Sequence, residues 1–183
     1  TRLLFNHSNT QNAAQSTGRT SRIKRYGGIQ ELYYRYNKRN LFSAKIWVQE
    51  NGSRIKQTEF NKERTRHRFI RGVLDWKHYK GEQVWTTKLG ATADEYQYHQ
   101  PSAATHALNT SHQVYFSENY IYNLSNSLKF QAGINAELQH AVSDNYRSNA
   151  MRILTGFYAG ANFSLSARLT GYALLKQGFT NTN

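Results

Sequence analysis

The sequence predicts an all-β fold, an antiparallel up-and-down sheet of the transmembrane β-barrel type. Aromatic residues make up 14% of the chain and include 13 tyrosines, whereas proline occurs once, so strand-forming residues are common and strand breakers are rare. Polar and apolar residues alternate with a period of two, as in strands whose faces meet different surroundings. No stretch approaches the roughly 18 to 20 consecutive apolar residues of a membrane-spanning helix.

Eight segments alternate in this way. In each segment one set of alternate residues is apolar, and we call this set the apolar parity and the intervening set the polar parity. In chain order, the apolar parities lie within residues 32–36, 42–48, 70–76, 85–93, 114–122, 128–138, 153–163 and 169–175. The clearest is 128–138, where every second residue is apolar and the intervening residues are polar or glycine. The exception is Glu118, which lies on the apolar parity of its segment and predicts either a β-bulge or a contact with a neighbouring group.

The connections between segments are predicted to alternate in length. Short turns are expected at 37–40, 80–82, 123–126 and near 163–166, and long polar loops at about 6–21, 50–65, 95–109 and 140–149. Short turns at one rim and long loops at the other are typical of outer-membrane barrels, with the short turns periplasmic. Aromatic residues beside the short turns predict an interfacial girdle, formed by Tyr34, Tyr36, Trp76, Trp85 and Tyr120.

The two ends favour a piece of a larger barrel over a small closed one. Residues 2–6 are expected to end a further strand, and residues 177–183 are expected to begin a loop. We therefore expect about eight to nine strands, with residues 1–183 forming a partial barrel domain that contains no plug.

The formal net charge of +13 indicates a polyanionic partner, either nucleic acid or a lipopolysaccharide-like surface. The densest basic run, at 62–68, lies next to a predicted strand, and such a run is usually a solvated rim. A soluble basic β protein that binds single-stranded nucleic acid is the alternative from another class. It is disfavoured because such a protein needs basic and aromatic residues on one face, whereas here most charges and most apolar groups lie on opposite parities.

Short sequence stretches at 26–34, 40–47, 75–79, 114–120 and 128–137 follow one another in a recognisable order and spacing. They resemble the barrel of TonB-dependent receptors, especially those of Bacteroidetes. The resemblance implies a barrel of about 22 strands with a plugged lumen, and uptake of siderophores, haem, cobalamin or glycans driven by the TonB complex. It also implies contact with outer-membrane lipid and lipopolysaccharide, with the TonB complex through a preceding region, and with a surface lipoprotein, but no nucleic-acid partner.

Two sets of site residues follow. The polar parity is expected to face the lumen through Arg35, Lys45, Arg71, Lys88, Lys129 and Glu137. The predicted loops 95–109 and 140–149 are expected to contact the nutrient through Tyr96, Tyr98, His99, His106, Tyr146 and Arg147.

No enzymatic or metal chemistry is predicted. The seven histidines do not form the paired helical pattern of a metalloprotease, the chain contains no cysteine, and no serine lies in a nucleophile elbow. We therefore expect no catalytic residue, no metal site and no cofactor. Within transport, a passive porin-like channel is the alternative, and the presence or absence of a plug would distinguish the two.

Overall fold

The chain forms one antiparallel sheet in a computed structural model that describes residues 2–14, 19–56, 62–100, 105–144, 149–166 and 169–182. Nine strands pair in chain order, so β1 and β9 are the two edges. The strands are β1 (Arg2–Ala14), β2 (Arg19–Arg35), β3 (Asn40–Lys56), β4 (Lys62–Lys80), β5 (Gln83–Gln100), β6 (Thr105–Ser125), β7 (Leu128–Ser143), β8 (Ala150–Ser166) and β9 (Leu169–Thr182). The up-and-down all-β prediction is confirmed. A helix long and apolar enough to cross a membrane is absent from the described ranges.

The strand register brings all the uncharged parities onto one side of the sheet. One row of successive cross-strand partners is Ile46, Gly72, Ala91, Val114, Leu138 and Ile153. Directly paired residues project from the same face, since a shift of one residue would reverse every side chain. We call this side the apolar face, its band of large apolar side chains the apolar belt, and the opposite side the polar face.

The apolar belt crosses the sheet diagonally. On β3 it begins at Val48, whose row continues through Ile70 and Ala93 to His112 and His140 on β6 and β7. On β7 the belt begins one row nearer the short turns, at Leu138, and continues to Leu128. A level apolar layer follows such a diagonal when the strands that cross it are tilted.

Burial is the reverse of that in a water-soluble protein. Among the described residues, the buried apolar side chains are Phe69 and Ala107, at 5% and 7% exposure, and both lie on the polar face. Large apolar side chains of the belt are about half exposed, as at Leu74 with 57% and Ile134 with 52%. This sheet therefore has an apolar face that no other part of the described chain covers.

The predicted long loops are wrong in extent, because the strands continue well past the belt. Arg54 pairs with Arg64, and Tyr96 pairs with Asn109, within stretches that were predicted as loops. The backbone pairs whether or not the side chains are apolar, so loss of the apolar alternation marks the end of the belt, not of the strand. For the same reason 177–182 is part of β9 and does not begin a loop. Residues 2–6 are confirmed as strand, but they do not end it, because β1 continues to Ala14.

The short turns predicted near 37–40, 80–82 and 123–126 are confirmed at the opposite rim, whereas 163–166 belongs to β8 and is not a turn. Gly81 has a φ of 56° in the turn between β4 and β5, a conformation that glycine adopts without steric cost. In the turn between β2 and β3, the Asn37 side chain accepts hydrogen bonds from the backbone N–H groups of Arg39 and Asn40, both at 2.8 Å. These local contacts close tight connections and fix the register of the hairpins they join.

Candidate functional site

The polar face carries all the side chains predicted to face a lumen. The register places on it Arg35, Lys45, Arg71, Lys88, Lys129 and Glu137. Further carboxylates share this face with Glu137: Glu31 lies 2.6 Å from the Lys45 ammonium, Asp75 lies 3.7 Å from that of Lys88, and Asp94 lies farther toward the long-strand rim. The polar face is therefore a surface of mixed charge, suited to water or to another polar structure.

A cluster of aromatic and charged groups lies on the polar face of β3, β4 and β5. The Arg71 guanidinium lies 4.4 Å from the ring centre of Phe69 and 5.6 Å from that of Trp47, distances typical of cation–π contacts. Trp47 meets Phe69 edge-on at 4.9 Å. The Asp94 carboxylate lies 3.5 Å from Arg71 and 3.3 Å from the His67 ring nitrogen. Packing and ion pairing together hold Arg71 in place, and its Nε has no hydrogen-bond partner.

A shallow hollow of about 440 Å³ lies beside this cluster. Asp94 and Tyr96 of β5 border it, and its floor is formed by small or short side chains of β6, β7 and β8, including Asn109, Ser111 and Ala141. A row of small residues leaves space on a sheet surface that larger neighbours surround. The hollow and the cluster together offer aromatic, cationic and carboxylate groups to a solute on this face.

Two glycines of the polar face lie under tyrosine rings. A Cβ at Gly90 would lie 2.1 Å from the Tyr115 ring, and one at Gly133 would lie 2.6 Å from the Tyr158 ring. Each tyrosine is the direct cross-strand partner of the glycine that it covers. The Tyr158 hydroxyl then donates to Asn119 Oδ1 at 2.7 Å. These ring-over-glycine pairs fill the gap left by the missing side chain and secure the register.

The predicted nutrient contacts do not come together as expected. Tyr96 and Tyr98 lie on the polar face of β5, whereas His99 and His106 lie on the apolar face of β5 and β6, with their rings 6.1 Å apart. The stretch 95–100 is strand, so side chains alternate between faces and a shared loop surface is ruled out. Tyr146 and Arg147, also predicted as contacts, lie outside the described residues.

The aromatic residues of the predicted girdle lie near the short turns. Tyr34, Trp76, Trp85 and Tyr120 are on the apolar face, and Tyr36 follows the end of β2. Trp85 packs on Tyr120 with ring centres 4.3 Å apart. The Trp76 indole N–H donates to Asn40 Oδ1 at 3.0 Å, so this ring has an apolar body and a satisfied polar edge, as an interfacial side chain requires.

Glu118 is the carboxylate that the sequence placed on the apolar parity. The pairing of β5 with β6 is continuous through this position, and the break between β6 and β7 falls later, between Asn123 and Ser125. Glu118 accepts a hydrogen bond of 2.5 Å from the hydroxyl of Thr87, its cross-strand partner. Of the two predicted explanations, the contact with a neighbouring group is therefore confirmed, and the bulge at this position is wrong.

The basic run 62–68 is part of strand β4 and does not lie beside a strand, as was predicted. Its alternate residues Arg64, Arg66 and Arg68 project from the apolar face, beyond the end of the belt. With neighbours on β2 and β3 they form a surface that the sequence analysis missed, which we call the basic patch: Arg22, Lys24, Arg54, Arg64, Arg66 and Arg68. The signal that could have found it is the alternation of arginine with other residues, which continues the strand period.

The fold is shared with solved bacterial receptors. The ferric enterobactin receptor PfeA of Pseudomonas aeruginosa aligns with 97% of this chain at a TM-score of 0.72 and 10% identity. The ferric preacinetobactin receptor BauA of Acinetobacter baumannii aligns with 86% at 0.70 and 8% identity, and FpvA of P. aeruginosa, solved with a bound ferric pyoverdine, with 96% at 0.70 and 10% identity. The chain spans about a third of each structure, 32%, 30% and 32% of their lengths. No family model and no curated protein match the sequence.

Proposed function

We propose that this chain is part of the barrel wall of a TonB-dependent receptor in the bacterial outer membrane, and that the receptor imports a bulky nutrient such as a metal chelate. The observation that carries the proposal is the division of the sheet into an exposed apolar face and a charged polar face across its strands. In this receptor the apolar face meets lipid and the polar face lines the lumen.

The dimensions of the belt support the membrane placement. On β7 it runs from Leu128 to Leu138, which is about 34 Å along a strand at roughly 3.4 Å per residue. A tilt of about 45° reduces this length to a height of about 24 Å, close to the apolar band of roughly 25 Å in outer-membrane barrels. The charged polar face in turn supports a lumen occupied by water or by a plug.

The nutrient-contact surface of our proposal lies on the polar face toward the long-strand rim. Tyr96 and Tyr98 contribute to it with Arg71, and the neighbouring hollow gives space for a bulky solute. Siderophores, haem and cobalamin are large and carry polar and aromatic or conjugated groups, which aromatic rings and cations can bind together. His99 and His106 project to the other face and are left out of this surface.

The remaining partners belong to the whole receptor. We propose that a plug fills the lumen against the mixed charges of the polar face, that a region preceding this chain contacts the TonB complex, and that a surface lipoprotein covers the long-strand rim. The order and spacing of the sequence stretches that resemble TonB-dependent receptors support the proposal that this protein comes from a member of the Bacteroidetes.

Uptake by the full-length protein in its own cells tests the proposal. Cells with and without the gene would be given iron-55 as siderophore chelates or haem, and labelled cobalamin, in strains with an intact or a disabled TonB complex. We expect uptake of one class to be lost both without the gene and without the TonB complex. Uptake that needs the gene but not the TonB complex would instead identify a passive channel and overturn the proposal.

Paired substitutions test the contact surface. Tyr96→Ala with Tyr98→Ala should weaken nutrient binding, whereas His99→Ala, one residue away on the other face, should leave it unchanged. Each lost aromatic contact should weaken binding by about tenfold, measured by titration of the purified protein. Equal effects of the two variants would remove Tyr96 and Tyr98 from the nutrient site.

A further inference from the structure

The basic patch contains a row of three arginines with no acid between them. Arg54 of β3 is the direct cross-strand partner of both Arg22 of β2 and Arg64 of β4. Neighbouring strands lie about 4.8 Å apart, and like charges placed directly opposite each other are destabilising. Among the described residues, no carboxylate forms an ion pair with any of the three. Such a row is stable when an anion from outside the chain lies over it.

The next two rows organise the patch around a single carboxylate. Glu50 accepts two hydrogen bonds from Arg66, at 2.7 and 2.9 Å, one from Arg68 at 3.2 Å and one from the Tyr26 hydroxyl at 2.5 Å. The Arg66 hydrogen bond is the main cause of the lowered pKa of Glu50, about 2 against an ordinary 4.5. Glu50 is thus fully engaged in fixing Arg66 and Arg68. The charges of Arg22, Lys24, Arg54 and Arg64 are left for another anion.

A hollow lies at the centre of the patch because Gly52 has no side chain. Gly52 is the cross-strand partner of Lys24 and Arg66, and a Cβ there would come no closer than 3.9 Å to any neighbour. The hollow measures about 290 Å³, and the charged residues that line it are Glu50 and every basic residue of the patch except Arg68. Guanidinium groups bind phosphate oxygens in pairs and in a planar geometry, so a hollow ringed by them suits a phosphate.

The position of the patch identifies the source of that phosphate. The row below Glu50 is Gly28, Val48 and Ile70, where the apolar belt begins. A molecule whose hydrocarbon chains lie along the belt would therefore bring its head group to the arginines. On β5 and β6 the matching positions are Glu95, Gln97 and Thr110, so the excess positive charge is confined to β2, β3 and β4. The surface fits one anionic head group better than a continuous polyanion.

We infer that the basic patch binds the phosphate groups of a phosphorylated glycolipid of the outer leaflet, of the lipopolysaccharide type, whose acyl chains lie on the adjoining belt. The inference rests on the proposed function, because only a chain in the outer membrane with its short turns toward the periplasm meets this lipid. Binding needs no covalent step, and the lipid holds together the arginine rows that repel each other in its absence.

Binding of lipid A to the full-length protein in detergent, followed by native mass spectrometry, tests the inference. The probes are lipid A with its phosphates, the same lipid with the phosphates removed, and inorganic phosphate in large excess as a competitor. We expect the phosphorylated lipid to bind about tenfold or more tightly than the dephosphorylated one, and inorganic phosphate not to displace it. Equal binding of both lipids, complete displacement by inorganic phosphate, or tighter binding of a single-stranded oligonucleotide would each overturn the inference.

Variants assign the effect to the patch. Arg54→Gln with Arg64→Gln should remove the preference for the phosphorylated lipid, and Arg54→Lys with Arg64→Lys, which keep the charge but lose the paired hydrogen bonds, should reduce it partly. Lys129→Gln, a cation of the polar face, is the matched control and should leave the preference intact. Loss of preference in Lys129→Gln alone would contradict the assignment.

The same variants separate this inference from the proposed function. A patch variant that reaches the outer membrane and supports TonB-dependent uptake, yet shows no altered lipid preference, removes only the lipid site. A wild-type protein that is absent from the outer-membrane fraction removes the proposed function itself. The comparison of the two lipids on wild-type protein needs no variant, so a folding defect in a variant leaves the test decisive.

Discussion

The two faces of the sheet share one backbone but differ in what they require from their surroundings. Ile134 on the apolar face is 52% exposed and has apolar or small neighbours, with the single exception of Glu118, across the strands. On the polar face, Phe69 is 5% exposed and packs with Trp47 and Arg71. On the polar face a large aromatic side chain is thus packed within the sheet, whereas the apolar face leaves its large side chains to be covered from outside.

This difference shows where the stability of the sheet arises. Hydrogen bonding between strands and contacts on the polar face are internal to the chain, whereas the gain from removing the belt from water depends on what covers it, which in the proposed receptor is lipid. Substitutions on the two faces should therefore have different effects even at neighbouring positions. Four experiments, in decreasing order of expected effect, test this difference.

The largest effect should come from a charge placed in the middle of the belt. Leu89→Arg should lower the free energy of unfolding by about 2–4 kcal/mol, since the cation would lie between Leu74 and Phe116 and face hydrocarbon. Asn135→Arg, on the polar face, should change it by less than about 0.5 kcal/mol. Reversible unfolding of the full-length protein in lipid vesicles with guanidinium measures both. Equal losses would show that the belt does not face lipid.

A methyl group added to a glycine should also have opposite effects on the two faces. Gly133→Ala on the polar face would push the Tyr158 ring from its place and break its hydrogen bond to Asn119, at a cost of about 1–3 kcal/mol. Gly72→Ala on the apolar face meets no atom within 4 Å and should stabilise by about 0.5–1 kcal/mol. The same unfolding assay applies, and destabilisation by Gly72→Ala would contradict an open apolar face.

Removing the charge of Glu118 should stabilise the protein slightly. Glu118→Gln keeps a hydrogen-bond acceptor for Thr87 and takes an ionisable group out of the belt, for a gain of about 1 kcal/mol. Glu137→Gln on the polar face is the control and should give no gain. A loss of stability in Glu118→Gln would indicate that the carboxylate serves a contact with a partner in the membrane.

The smallest effect should be a pH dependence at the end of the belt. The pKa of Glu50 is about 2 in the folded protein against an ordinary 4.5, so the stability that Glu50 contributes is complete above about pH 4.5 and is lost as the pH falls toward about 2. Glu50→Gln should be less stable near neutral pH and should lose less on acidification in that window. Parallel unfolding curves for both proteins would rule out this role of Glu50.

Much of the fold could be predicted because the alternation of the belt is local. A strand places successive residues on opposite faces. The apolar face of 128–138 could therefore be predicted from these residues alone, without knowledge of the neighbouring strands. The same alternation correctly predicted that Arg71 and Lys129 lie on the polar face. Beyond the belt both faces are polar, and the alternation no longer marks the strand. Predictions made there, including the loops at 50–65 and 95–109, therefore failed.

The sequence by itself predicted about eight to nine strands in up-and-down order and the side on which each belt residue lies, because hydrophobic alternation and turn residues are properties of short stretches. Only the tertiary structure decided which side chains are neighbours across strands. Register brought three arginines from β2, β3 and β4 into one row, placed Glu50 among the cations and laid Tyr158 over Gly133. These contacts depend on hydrogen bonding between residues that are distant in sequence. A local sequence pattern does not predict which of these residues become partners.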